Sequence, residues 1–295
     1  MGAALQIPAY ASGMVLVGAH SDGADPPSEA RDRHADLIQI FLGDPQGWAK
    51  PSLPPGAENW RDSGVPIYVH APYLVNVAST NNRIRIPSRK ILAQHAEAAA
   101  AIGASGLIVH GGHVTAGDDP EVGVVNWRKT FQRAKYPLPI LIENTAGGER
   151  AMARTLDMIA RLWDALDGFD VGFCLDTCHA HAGGEHLPGL VDRVLRITGR
   201  IDLVHANDSK DELGSGRDRH ENLGHGVLDV EALVEVVRRA GAPVVVETPG
   251  GADGQAADIA FLRARLDVSG GAQSTQVPVT KAMTSTTIVG PHAQV

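Results

Sequence analysis

Eight short runs of nearly unbroken apolar residues recur along the chain, and most stop at a histidine or a carboxylate. They are MVLVGAH, DLIQIFLGDP, VPIYVHAPYLVN, SGLIVHGGH, PLPILIENTAGG, VGFCLDTCH, RIDLVHANDSK and APVVVETPG. A run that is continuously apolar, rather than alternating, reads as a strand buried on both faces. Helical segments follow most of the runs; NNRIRIPSRK leads into the helix ILAQHAEAAAAIG, and ERAMARTLDMIARLWDAL reads as a helix ahead of the sixth run. This alternation predicts an α/β chain closed into a TIM (β/α)8 barrel, whose active site sits at the C-terminal face of its strands. The polar residues arrive where the strands end, most densely between Val171 and Gly226.

A chain of 295 residues with 43% apolar content fits one such barrel. We expect residues 14–266 to form it, residues 1–13 to be a disordered leader or to precede a start at Met14, and residues 267–295 to be a disordered tail. The net charge of −8 excludes a protein coated in basic charge. It leaves room for nucleic acid, since metal ions bring positive charge that residue counting misses. Two cysteines, Cys174 and Cys178, give no disulfide framework and read as reduced, packed thiols. With no secretory pattern and no membrane-length apolar run, the expected setting is cytoplasmic.

The strand ends and the loops after them supply His70, His110, Glu143, Asp176, His179, His205, Asp218, His220 and Glu247. Bare carboxylates gathered at one barrel mouth would repel one another, so something cationic must sit among them. Histidine and carboxylate without cysteine suit zinc, manganese or iron at a catalytic site. Nine ligands exceed the needs of one ion; with one carboxylate bridging, they would serve three. His20, ending the first strand, reads as a hydrogen-bonded support, and Trp48 as packing over the core. Arg83, Arg85, Arg89 and Lys90 form a basic patch that either solvates a helix or meets phosphate.

The motifs YVHAPYLVN, IVHGGH, LIENTAGG, GFCLDTCHA, HANDSK, GSGRDRHENLG and VVVETP, in this order, closely resemble endonuclease IV, the zinc-dependent abasic-site endonuclease family of base-excision repair. The resemblance runs from about Met14 to Leu266. It implies three Zn2+ ions, with Mn2+ or Fe2+ as substitutes. His70 and His110 would hold one, Asp176, His205 and Glu247 a second, and His179, Asp218 and His220 the third. Glu143 would bridge the first two and position the hydroxide that attacks the phosphorus 5′ to an abasic sugar. The implied products are a 3′-hydroxyl and a 5′-deoxyribose phosphate, and the same site would trim blocked 3′ ends.

The implied partner is double-stranded DNA containing abasic sites, bound by a monomer without any membrane role. Tyr73 and Leu74 match two residues that enter the DNA in the family, while Gln46 stands where the family carries an arginine. Arg217, Arg219 and Lys210 would meet phosphates or pair with Asp211 and Glu212. His113, in HGGH for the usual HPGS, and His225, in LGHG where glutamate is common, depart from the pattern. Together with His20 they are expected behind the metal ligands. The opening loop SDGADPP also lacks the family's usual Gly-Gly pair. A single-metal sugar isomerase or epimerase on the same barrel is the alternative, using Glu143, Asp176, His205 and Glu247. It would leave the other five groups unemployed. A non-catalytic DNA- or metal-binding protein is the third reading, and would be favoured only by a missing ligand.

Overall fold

The computed structural model describes residues 14–270. Its strands are β1 (Val17–His20), β2 (Ile38–Phe41), β3 (Ile67–His70), β4 (Gly106–His110), β5 (Ile140–Glu143), β6 (Val171–Asp176), β7 (Leu203–His205), β8 (Asp208–Ser209), β9 (His220–Glu221) and β10 (Val244–Val246). All but β8 and β9 pair in parallel into a closed barrel, in which β10 joins β7 to β1. The remaining pair, β8 and β9, forms a small antiparallel hairpin. The helices are α1 (Pro26–Asp32), α2 (Asn82–Ala101), α3 (Pro120–Arg133), α4 (Leu156–Leu166), α5 (Thr177–Gly183), α6 (Leu190–Thr198), α7 (Val230–Ala240) and α8 (Gly251–Gly270). None of them is long and apolar enough to cross a membrane.

Continuous apolarity arises because each strand faces two different cores. Val17, Ile38, Val69, Val109, Ile142, Phe173, Val204 and Val244 pack outward with the helices. Leu37, Tyr68, Ile108, Leu141, Cys174, Leu203 and Val245 form a separate cluster, six of them from six barrel strands and Leu37 from the position just before β2, with Leu16 beside them. Side chains on a strand repeat with a period of two. Two residues beyond those seven stand Gln39, His70, His110, Glu143, Asp176, His205 and Glu247, and His20 follows Leu16 by four. The barrel interior is therefore an apolar tier with a polar tier directly above it.

Local chemistry sets the helix starts. Asp119 accepts from the Glu121 N–H ahead of Pro120 in α3, and Asp229 caps α7 through the N–H groups of Glu231 and Ala232. The basic segment NNRIRIPSRK, expected to lead into a helix, is instead the first half of α2, with Pro87 inside it. Proline there removes one helical hydrogen bond. Side chains tie the same turn down: Arg85 donates to Ser79 O at 2.6 Å, and Ser88 Oγ donates to Ile84 O while accepting from Asn76 N. Arg89 reaches across to α3, donating to Thr130 Oγ1 and Asn126 O. Two of the four basic groups are thus spent on packing.

Three other expectations shift. Trp48 is not over the core but 44% exposed, because the Pro-rich segment around it runs across the barrel mouth. The helix expected from Glu149 starts only at Leu156, where Thr155 caps it. The last helix extends through Gly270, so its end takes in 267–270, which had been assigned to the tail. The leader and the rest of the tail lie outside the described residues.

Gly18 lies on β1 where a Cβ would overlap the Leu37 carbonyl oxygen. Its bare backbone lets β1 and β2 approach. Gly18→Ala should destabilise the barrel by about 1–3 kcal/mol, as overpacking does. Urea unfolding should show a lower midpoint with an unchanged slope.

Candidate metal centre

The polar tier brings the strand-end candidates together. His70, His110, Glu143, Asp176 and His205 are the last residues of β3 to β7, and Glu247 follows β10 directly. His179 enters from α5 and His220 from β9, with Asp218 just before it. Potential ligand atoms converge in overlapping groups: His70, His110 and Glu143; Glu143, Asp176, His205 and Glu247; Asp176, His179 and His220; and Cys178, Asp218 and His220. Glu143 belongs to the first two groups and Asp176 to the second and third. Glu143, Asp176 and His205 are fully buried, while the Asp218 side chain is half exposed.

The hydrogen bonds decide which face each imidazole offers. His70 Nδ1 donates to Ala71 O at 2.7 Å, leaving Nε2 facing Glu143 Oε2 at 3.0 Å. His179 Nδ1 donates to Asn144 O at 2.9 Å, and its Nε2 stands 3.1 Å from Asp218 Oδ2. His220 points Nδ1 at Glu247 O and holds Nε2 3.0 Å from Asp218 Oδ1. His205 is reversed: Nε2 donates to Gln39 Oε1 at 2.7 Å, and Nδ1 lies 3.1 Å from Glu143 and 3.3 Å from Glu247. A neutral imidazole has one proton. In each ring a neutral oxygen lies within reach of that proton, and the other nitrogen is left facing carboxylates; in His179 the Nδ1 proton is shared, with Glu143 Oε1 at 3.1 Å as well.

Lone pair against carboxylate is repulsive unless a proton or a metal ion lies between. The Nε2 atoms of His179 and His220 are buried without a hydrogen-bond partner despite their closeness to Asp218. Two imidazole nitrogens held about one ligand–ligand spacing from the same carboxylate suit a shared ion. Tetrahedral N/O ligation at about 2.0–2.1 Å spaces ligand atoms about 3.3 Å apart, close to what is seen here. The residues fit divalent cations. This is also the arrangement in which ligating histidines are steered by their other nitrogen.

Without an ion, the histidines take the balancing charge. Burial alone would raise Glu143, but His205 and His110 beside it hold it well below the usual carboxylate range. Burial would lower His220, yet Asp218 and Asp176 lift it to about 9. Glu247, against its burial, is held at about 2 by His205. Asp176 is pushed up, chiefly by burial. The two thiols are unreactive, burial lifting both Cys174 and Cys178 to about 12.

Several residues of the site escaped the sequence reading. Asn144 exchanges two hydrogen bonds with the Asp176 backbone. Asn207 donates to Asp176 Oδ2 at 2.7 Å and accepts from Glu247 N. Gln39, fully buried, bonds His20, His205 and Glu247. Its only signal was a polar residue inside the apolar run IQIF. Asp208 accepts from the N–H groups of Gly224, Gly226 and Leu228, closing the base of the loop that carries Asp218 and His220. Asp176 has a second task, capping α5 by accepting from His179 N.

A cleft of about 440 Å³ opens beside the cluster, lined by Trp48, Tyr73, Leu74, His110, His179 and Asp218 among others. Tyr73 is half exposed, its ring nearly parallel to His110 at 5.6 Å. Gln46 is exposed in the neighbouring turn, its N–H on Asp44. Arg217 and Arg219 both pair with Asp211, not Glu212, and Lys210 lies 3.8 Å from Glu221. His20 accepts from Gln39 at 3.0 Å, and burial brings it down to about 4. His113 and His225 do not stand behind the ligands. Both are exposed, each following a glycine of positive φ (Gly112, Gly224), and His113 lines the cleft.

The family model described as Xylose isomerase-like TIM barrel matches residues 27–265. A probable endonuclease 4 of Mycobacterium leprae is 55% identical over 249 residues, covering 84% of this chain and 98% of its own. The probable endonuclease 4 of Mycobacterium marinum is 53% identical over 253 residues, 86% and 100% of the two chains. Endonuclease IV from Thermus thermophilus superposes with a TM-score of 0.74 at 29% identity, over 86% of this chain and 99% of that one. A D-tagatose 3-epimerase-like protein reaches 0.72 at 20% identity, over 87% and 98%, a likeness of fold alone.

Two groups set opposite pH limits for the metal-free protein. His220, raised to about 9, adds stability present below its unfolded value near 6.5 and lost as pH climbs through 9. Glu247, lowered to about 2, adds stability present above about 4.5 and lost as pH falls toward 2. Melting temperatures in chelator should therefore decline on both sides of a window between about pH 4.5 and 6.5. A divalent cation held by His220 would have to displace its proton, so any stabilisation by added Zn2+ should instead grow from pH 6 to 9.

Proposed function

Because the chain belongs to the endonuclease IV family of xylose isomerase-like TIM barrels, we propose that it hydrolyses the phosphodiester 5′ to an abasic site in double-stranded DNA. The products are a 3′-hydroxyl, ready for extension, and a 5′-deoxyribose phosphate, and blocked 3′ ends are trimmed by the same chemistry. The observation that carries this reading is the set of imidazole nitrogens turned away from neutral acceptors and toward shared carboxylates at the barrel mouth.

His70, His110 and Glu143 would hold one zinc ion, Glu143, Asp176, His205 and Glu247 a second, and His179, Asp218 and His220 a third. Bound divalent cations acidify water to hydroxide near neutral pH and offset the charge that builds on a phosphate under attack. Glu143, kept ionised by its neighbours, belongs to two of the ligand groups and would bridge the ions they hold. Asp218, half exposed beside the cleft, holds the third group where a backbone phosphate would arrive. All nine groups come from one chain, so a monomer suffices.

Recognition rests on deformability. An abasic nucleotide has lost its stacking partner and is cheaper to extrude than a normal one. Tyr73 and Leu74 stand at the rim of the cleft, where apolar and aromatic side chains can occupy the gap in the stack. Trp48 shares that rim. Arg217, Arg219 and Lys210 remain 68%, 54% and 42% exposed despite their acidic partners, and they face the phosphates that flank the lesion. A sugar isomerase would need only Glu143, Asp176, His205 and Glu247, and it gives no task to the five other converging groups.

A duplex carrying one tetrahydrofuran abasic analogue should be cut once, 5′ to the lesion, without added magnesium. This analogue cannot undergo β-elimination, so a cut reports hydrolysis. Glu143→Ala should lower incision at least about a thousandfold; full activity in that variant would refute the bridged site. No cut by protein shown to carry zinc would favour the isomerase reading. Tyr73→Ala should raise KM about tenfold or more, since base-stacking contacts contribute on the order of 1–3 kcal/mol.

A further inference from the structure

We infer that Gln39 is a positioning residue that selects which nitrogen of His205 faces the metal cluster and holds Glu247 in place for the same ion. The inference rests on the metal reading above and goes beyond it by assigning a role to a side chain that touches no ion position. Gln39 is fully buried on β2, one of the two barrel strands that neither end at nor directly precede a candidate ligand.

Its amide orientation follows from its neighbours. Nε2 lies 2.6 Å from Glu247 Oε1 and 3.0 Å from His20 Nδ1. The reverse orientation would set the amide oxygen against a carboxylate oxygen at that distance, which is repulsive. Oε1 therefore faces His205 Nε2, at 2.7 Å, and can only accept. The proton of His205 must sit on Nε2, and Nδ1 is left bare toward Glu143, Glu247 and Asp176 at 3.1, 3.3 and 3.8 Å.

His70 and His179 reach the same state by donating Nδ1–H to a backbone carbonyl and offering Nε2. His205 alone among the candidate ligands is steered by a side chain and offers Nδ1. One amide thus orients two ligands of one ion from opposite ends. Its second N–H goes to His20, whose ring rests edge-on against Phe41 at 4.7 Å. Loss of Gln39 removes the His205 acceptor and the Glu247 donor together. The other two ion positions keep their own supports.

Gln39→Met preserves length and removes both hydrogen-bonding functions. Gln39→Glu keeps the acceptor for His205 and replaces the donor with a charge against Glu247. Purified full-length proteins would be loaded with Zn2+, dialysed against a graded chelator series, and assayed for bound zinc by elemental analysis. Circular dichroism and melting would be recorded in the metal-free state. The expected result is that Gln39→Met retains metal-free folding but loses one zinc equivalent at about 10–100-fold lower competing chelator, and Gln39→Glu does so at least as readily. The Nε2–H resonance of His205 in 15N-labelled metal-free protein should be present in wild type and absent or shifted in Gln39→Met.

Zinc retention in Gln39→Met equal to wild type would overturn the role of Gln39 and leave the metal centre standing. Loss of all zinc in parallel with lost metal-free folding in both variants would also overturn it, showing a structural role only. Wild-type protein that retains no zinc would instead overturn the metal centre itself, and the inference with it.

Discussion

Burying carboxylates side by side is tolerable only when positive charge is placed among them. Glu143 and Asp176 are sealed from solvent, and Glu247 lies within reach of the same histidine. Each uncompensated buried charge would cost several kcal/mol, more than a typical domain can spare. The barrel meets this with histidines, and each histidine is itself held by a neutral oxygen on its far side. The arrangement is therefore bistable in composition: imidazolium protons balance the carboxylates when no ion is bound, and ions replace those protons when they arrive. The fold around it does little besides keep these groups from relaxing apart.

Much of this was legible because a strand carries information at two frequencies. Unbroken apolarity marks a strand with two buried faces, and the residue that ends the run marks the barrel mouth. Ile108 followed two positions later by His110, and Leu141 by Glu143, are read this way without knowing any distance. Supports were harder to find. Gln39 interrupts an apolar run with a single polar residue, a signal shared by many unremarkable strand positions. Asn144 and Asn207 directly follow or nearly follow ligands in sequence, where they could equally have been loop residues.

Where the reading went astray, the backbone supplied the reason. His113 and His225 lie close in sequence to the motifs, but each follows a glycine of positive φ and is exposed, His113 on the wall of the cleft. Trp48 looked like core because tryptophan usually is; its proline-rich surroundings instead carry it across the mouth. In α2, the segment NNRIRIPSRK, read as leading into the helix, is already helical from Asn82. Contacts from Asn76, Ser88 and Arg85 hold the first turns in helical form. Tertiary bonds of this kind leave no trace in local propensity.

The apolar tier beneath the ligands has an electrostatic consequence. Leu37, Tyr68, Ile108, Leu141, Cys174, Leu203 and Val245 form a floor of low polarizability across the whole barrel. Field lines from any charge held in the tier above are poorly screened below and bend toward the open, high-dielectric side. In a chain of net charge −8, whatever charge this tier holds is in this way expressed chiefly at the one open end of the barrel. The hydrophobic core of this barrel acts as a reflector as well as a support, aiming the charge of the mouth at whatever approaches it.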